Sequence, residues 1–211
     1  IGDYAFALID NENFINLVLP ASLTYIGKYS FSNCANLESV SVKSNILGTD
    51  TFGYSPKLKN VIFNSDIETL DEGVFFECKQ LFNIELTDKI KYINDYAFYN
   101  CDSLGTLNST GTIDLKSVEH LGSYAFSDCD SLINITIPNS VIKILSHTFE
   151  YCIYLEKITL QNACMGSYMF AFNDSLETVS IPSSIVKIDD HAFTYCANLK
   201  NVEYASKIIG D

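Results

Sequence analysis

LINITIPNSVIKILSHTFEYC, residues 132–152, holds two rhythms and a corner between them. Its first part, Leu132-x-x-Ile135-x-Ile137, alternates apolar and polar positions and is β-branched, which predicts a short strand with one buried face. Pro138 removes a backbone donor and marks the corner. Val141 to Ile144 reads as a second short extended piece, and the segment through Phe149 to Cys152 as a single helical or 3₁₀ turn on the far side. One such coil cannot bury its own apolar edge, so it needs neighbours stacked against it.

The sequence supplies those neighbours. Aligned on its phenylalanine, the element recurs at Phe6, Phe31, Phe52, Phe75, Phe98, Phe126, Phe149, Phe170 and Phe193, in steps of 25, 21, 23, 23, 28, 23, 21 and 23 residues. Three residues later stands a cysteine at Cys34, Cys78, Cys101, Cys129, Cys152 and Cys196, and three beyond that a leucine, from Leu37 to Leu199. A fixed period of this kind predicts a β-rich, right-handed leucine-rich-repeat solenoid of about nine coils of ~23 residues. Its short parallel strands should lie in register, with the nine phenylalanines in one buried row and the whole of residues 1–211 in a single domain. Both ends stop at the same point of the repeat without a polar capping unit, so the segment reads as an internal part of a longer array.

Departures from the period place the loops. The steps of 21 lack the proline corner, where Val42 runs to Leu47 and Leu160 to Met165. The step of 28 holds extra residues, expected within Asn108 to Ser117 as a protruding loop beside the strands.

The pattern L-x-x-[IV]-x-[IV]-P-x-[ST]-[IV]-x-x-I-G-x-x-A-F-x-x-C, nearly complete in Leu132 to Phe149 and in Leu176 to Cys196, resembles the BspA-like leucine-rich repeats, also called the Treponema pallidum type. The resemblance covers the whole chain. It implies a surface or secreted protein of a host-associated bacterium or a protist, of a family whose better-known members look like adhesins. Ile9, Ser55 and Asn173 depart from it at the cysteine position, and Asp50 and Gly73 at the tyrosine position.

Composition narrows the partners. A formal charge of -13 repels polyphosphate, which argues against nucleic acid and anionic lipid and leaves a basic protein or a neutral polar ligand such as glycan. No run approaches the roughly 18 apolar residues of a membrane helix, and the opening IGDYAFALID lacks the basic start and apolar stretch of a signal peptide. Membrane insertion within this segment is not expected, and for an extracellular or cell-surface protein the targeting signal would lie outside it.

No residue set reads as catalytic, and no cofactor is implied. The six regular cysteines lack C-x-x-C spacing and fall one coil apart, which favours packing thiols over inter-coil disulfides or metal ligands; Cys164 is the odd seventh. His147 and His191 occupy the slot of Tyr4, Tyr29, Tyr96, Tyr124 and Tyr168 and read as rungs of an aromatic row, while His120 reads as a corner residue. Acidic pairs such as Asp189 with Asp190 match no calcium loop and read as solvated corners. Sequons stand at Asn108, Asn134 and Asn173.

The outward strand positions are the more suggestive feature, a broad sheet of hydroxyls and amides. With the loop rising as a wall beside it, a ligand is expected at Asn83, Glu85, Thr106, Asn108, Asn134 and Thr136. The function expected is recognition of a host or cell-surface protein or glycan; the alternative is a spacer that projects another domain.

Overall fold

The computed structural model describes residues 1–105, 111–161, 164–185 and 187–205. It is a parallel β-solenoid in which the nine phenylalanine-bearing elements bound eight turns. On one face lie β1 (Asn16–Leu19), β2 (Ser39–Val42), β3 (Asn60–Phe63) and β5 (Asn83–Ile84), paired in that order. The same face continues with β8 (Asn134–Ile137), β10 (Lys157–Leu160), β11 (Thr178–Ile181) and β12 (Asn201–Tyr204). Past the corner, β4 (Thr69–Leu70), β6 (Tyr92–Ile93), β7 (His120–Leu121) and β9 (Lys143–Ile144) form a third parallel sheet. His120 is therefore a strand residue and not a corner, and its ring stacks on Tyr92 at 4.9 Å.

Register is one coil to one coil. Ser39 lies opposite Asn60 and Val40 opposite Val61; Ile135 lies opposite Ile158 and Ile158 opposite Val179. Each strand from β1 to β11 thus sends the same alternate residues inward, where they join or pack against the leucines and phenylalanines of one continuous core, while β12 lies exposed. Consecutive phenylalanine rings stack with centroids 5.1–5.9 Å apart along the whole row. Seven of the nine, Phe31 to Phe170, are buried and Phe193 is half-buried, but Phe6 is 45% exposed, its ring stacked on Phe31 on one side.

The turn bearing the phenylalanine differs from expectation: no helix occurs among the described residues. Its first and fifth residues adopt the left-handed conformation instead, as in Tyr29 and Asn33 (φ 55° and 54°), Tyr96 and Asn100 (57° and 55°), and His147 and Tyr151 (61° and 58°). Reversing φ at these points turns alternate N–H groups out of the coil and towards the next one. Phe31 N–H donates to Thr51 O, Phe98 N–H to Ala125 O and Phe149 N–H to Met169 O, each at 2.9 Å. The intervening N–H groups close back three residues, as Ser32 does to Tyr29 O at 3.1 Å. A left-handed L-residue costs roughly 1–2 kcal/mol, and here that strain accompanies backbone bonds between coils that a helical turn would have spent within itself.

The cysteine slot completes this edge. The six cysteines of the slot form no disulfide. The thiols of Cys78, Cys101, Cys129 and Cys152 each donate to a phenylalanine carbonyl of the preceding coil at 3.2 Å (Phe52, Phe75, Phe98 and Phe126). Asn173, standing in the same slot, donates its Nδ2 to Phe149 O at 3.0 Å. The slot therefore selects a small side chain able to reach that carbonyl, which cysteine and asparagine both do. It also places Asn173 in the core, where its sequon is closed to modification.

Candidate functional site

Among the described residues the strand face is interrupted once. β5 pairs with β3 on one side, and β8 pairs with β10, but β5 and β8 belong to separate sheets. The coil between them carries the 28-residue step. In its neighbours, the residue directly after the leucine accepts two N–H bonds from the next coil: Lys59 O takes those of Phe82 and Asn83, at 3.3 and 3.0 Å. Here Gly105 follows Leu104, yet the bonds from Ile133 and Asn134 go to Gly111 O, at 2.8 and 3.2 Å. Gly111 thus holds the place in the coil that the residue after the leucine holds elsewhere, so the five extra residues precede it, earlier in the chain than the expected span of Asn108 to Ser117.

Both bracketing glycines have positive φ, 99° at Gly105 and 59° at Gly111. A Cβ at Gly111 would lie 2.6 Å from Ile133 Cγ1, so the return is seated hard against the following coil. Thr112, Ile113 and Asp114 then take the places that Asn83, Ile84 and Glu85 hold one coil earlier, with half-buried, half-buried and exposed side chains respectively. Residues 111–116, expected as the wall of a loop, instead continue the face itself. Thr106 and Asn108 of the expected site lie outside the described residues.

Where the two sheets part, a cleft opens. One hollow of about 210 Å³ is lined by Asn83, Glu85, Gly105, Thr112 and Asp114 among others, and a second of about 230 Å³ by Glu85, Asp88, Asp114, Lys116 and Ser117. They share Glu85, Leu86 and Asp114 and form one depression. Asn83 is held by its ladder, donating Nδ2 to Asn60 Oδ1 at 2.8 Å. Lys116 reaches back to Asp114 Oδ2 at 2.8 Å, and its own N–H donates to Asp114 Oδ1 at 3.0 Å. Burial opposes the Asp114 charge, but the side-chain and backbone bonds from Lys116 outweigh it and hold the carboxyl below its ordinary pKa. The cleft therefore presents three carboxylates (Glu85, Asp88 and Asp114) and an ammonium on a floor of Ile84, Leu86 and Ile113.

Of the expected site residues, the structure brings Asn83 and Glu85 to the cleft. Asn134 and Thr136 sit on β8, beyond the coil of Thr112 to Asp114, and do not line it. Sequence reasoning missed Thr112, Asp114 and Lys116 because it assigned them to the loop. The signal that finds them is the glycine pair: the five residues between Gly105 and Gly111 equal the excess of the 28-residue step over 23.

Comparison with known proteins accords with the stacked-coil geometry. A family model described as BspA type Leucine rich repeat region (6 copies) matches residues 1–115 and 109–210. The chain belongs to this family. Among solved structures, this BspA-type chain is similar to a leucine-rich repeat protein from Bacteroides ovatus at 25% identity and a TM-score of 0.59, over 97% of this chain and 45% of that one. The pneumococcal vaccine antigen PcpA aligns at 20% identity and a TM-score of 0.60 over 99% of this chain and 60% of its own. A T. pallidum leucine rich repeat protein does so at 22% and 0.50, over 96% and 72%. At those identities the last two show the shared fold alone. The BspA-type chain spans less than half of the Bacteroides protein. No curated protein sequence matches it. Among the described residues no helix is long and apolar enough to cross a membrane, and no group of three or more His, Cys, Asp or Glu side chains is placed to hold a metal ion.

Proposed function

We propose that the protein is a non-catalytic recognition module of a cell surface or secreted protein, and that it takes a polar protein segment or glycan in the cleft beside β5. The observation that carries this reading is the division of the strand face between β5 and β8. An unbroken parallel sheet satisfies its own backbone and offers only side-chain tips, whereas a divided one offers a strand edge and a depression together. Asn83, Glu85, Thr112 and Asp114 supply donors and acceptors around an apolar floor, the composition that fixes orientation while removing water. Asn134 and Thr136 extend the same polar surface on β8 and serve a longer ligand. A surface setting is supported by the family.

A binding screen of host matrix proteins and glycans tests this, comparing the parent with Glu85→Ala/Asp114→Ala and with Asn134→Ala/Thr136→Ala. At least tenfold weaker binding is expected for the first pair and a smaller loss for the second. Equal binding by a correctly folded first variant removes the cleft from consideration. Absence of any binder favours a spacer that projects another domain.

A further inference from the structure

The turn edge carries an aromatic row distinct from the buried phenylalanines. Tyr4 stacks on Tyr29 at 4.9 Å, and the run Tyr96, Tyr124, His147, Tyr168, His191 continues with spacings of 4.5–5.0 Å and ring planes within 19° of parallel. Two rungs between these runs hold no ring, because Asp50 and Gly73 occupy the tyrosine slot. Tyr29 and Tyr96 therefore each carry a row neighbour on one face only.

The interruption is a shaped notch. A cavity of about 170 Å³ is lined by Asp50, Tyr54, Glu72, Gly73, Phe76 and Tyr96. Tyr54 and Phe76 wall it; the Phe76 ring stacks on Tyr99 at 4.9 Å and tilts 47° to Tyr54 and 55° to Tyr96. Gly73 holds no ring and leaves room for the Asp50 carboxylate: its φ is +59°, and a Cβ there would collide with Asp50 Oδ1. The Asp50 carboxylate accepts a hydrogen bond from the Tyr29 hydroxyl. Burial raises the Asp50 pKa against that bond, and the neighbouring Glu72 adds to the rise, so the site holds negative charge under-compensated by its surroundings.

We propose that this notch binds the guanidinium of an arginine side chain presented by a basic partner protein. The missing rung is planar, and a guanidinium is the side-chain cation that lies flat on an aromatic face while its in-plane N–H groups reach a carboxylate. Seated at Gly73, it stacks on the free face of Tyr96, contacts Phe76 and donates to Asp50, with Glu72 at the rim. Cation–π attraction and the charge-assisted bonds then act together in a partly desolvated place. The chain's formal charge of -13 favours approach of a basic partner from any direction, and the notch selects which residue docks.

The test titrates the protein with a capped Gly-Arg-Gly peptide, its citrulline counterpart of like shape without charge, and its lysine counterpart, read by NMR shifts of the Tyr96 and Phe76 ring resonances. Saturable shifts are expected with arginine, at least tenfold weaker binding with citrulline and with lysine, and at least tenfold weaker arginine binding by Asp50→Asn and by Glu72→Gln/Phe76→Leu. Glu12→Gln/Glu203→Gln, which removes twice that charge from exposed positions elsewhere, is expected to bind as the parent does. Equal binding of citrulline overturns a cation site, and equal binding of lysine overturns the choice of guanidinium. An equal loss in the Glu12/Glu203 variant overturns a localised site in favour of diffuse attraction. Thermal midpoints of every variant are compared first; should Asp50→Asn unfold, the Glu72/Phe76 variant decides.

Discussion

The coil between Phe98 and Phe126 is continuous on one side and broken on another. Along the turn edge, Tyr96, Phe98 and Asn100 donate to Ser123, Ala125 and Ser127 at 2.9 Å each, and Tyr92 and Ile93 pair with His120 and Leu121 past the corner. On the strand face of the same coil the sheet divides, and the cleft of Glu85 and Asp114 opens. Stacking is therefore carried by the phenylalanine, the cysteine slot and the left-handed turn, while the strand face tolerates insertion. A solenoid built this way fixes its coils along one edge and leaves another free to vary.

The sharpest separation of the two regions is alkaline. Burial pushes the Cys78 thiol up to about 12 and lifts Cys101, Cys129 and Cys152 well above the ordinary 9.0. Tyr29 is likewise pushed up to about 12, chiefly by its hydrogen bond to Asp50. A group that holds its proton more tightly when folded contributes stability below its unfolded pKa and withdraws it as pH climbs towards the folded value. Each such thiol should thus cost about 1.4 kcal/mol per pH unit above pH 9. Urea unfolding between pH 8 and 10.5 should show a steep fall, reduced by about one thiol's share in Cys101→Ser, which keeps a donor for Phe75 O. Glu85→Gln/Asp114→Asn should leave the slope unchanged, and an unchanged slope in Cys101→Ser would break the assignment of the fall to the turn edge.

Next in size is the stack itself. Phe98 is fully buried between Phe75 and Phe126, at 5.4 and 5.1 Å. Phe98→Ala should cost about 3–5 kcal/mol, measured as a lowered urea midpoint. A loss under 1 kcal/mol, on the order of a surface change, would mean that the coil is held from its strand face after all.

The positions that recur were legible because every coil packs against two others and must present the same residue at the same height. Phe52, Cys78 and Leu132 are fixed by that demand, and so is the aromatic slot shared by Tyr124 and His147. The conformation of the turn was not legible, since tyrosine and histidine are poor advertisers of positive φ. Only Asp50 and Gly73 in the first left-handed position, and Asn33, Asn100 and Asp128 in the fifth, belong to the types that tolerate it well. The cleft was half legible. Asn83 and Glu85 follow from strand alternation, but Asp114 depends on where the chain re-enters the coil, and spacing alone does not state whether extra residues precede or follow a strand.

The smallest effect on stability is expected at that re-entry, and it bears most directly on function. Removing residues 106–110 joins Gly105 to Gly111, whose atoms already approach: a Cβ at Gly105 would lie 3.4 Å from the Gly111 carbonyl carbon. The two glycines thus lie close enough to be joined, and loop-length arguments put the change within about 1 kcal/mol of the parent. The core beneath is untouched, because Leu104, Leu115 and Val118 are buried in the coil proper. If the inserted segment holds β5 apart from the strand path of Thr112 and Ile113, its removal should let the two pair and join the sheets. Slower amide hydrogen exchange in residues 82–86 and 112–114, with an unchanged urea midpoint, is the expected reading. Unchanged exchange would show that the division is written into the coil by Gly111, Thr112 and Asp114 themselves and not by the inserted residues.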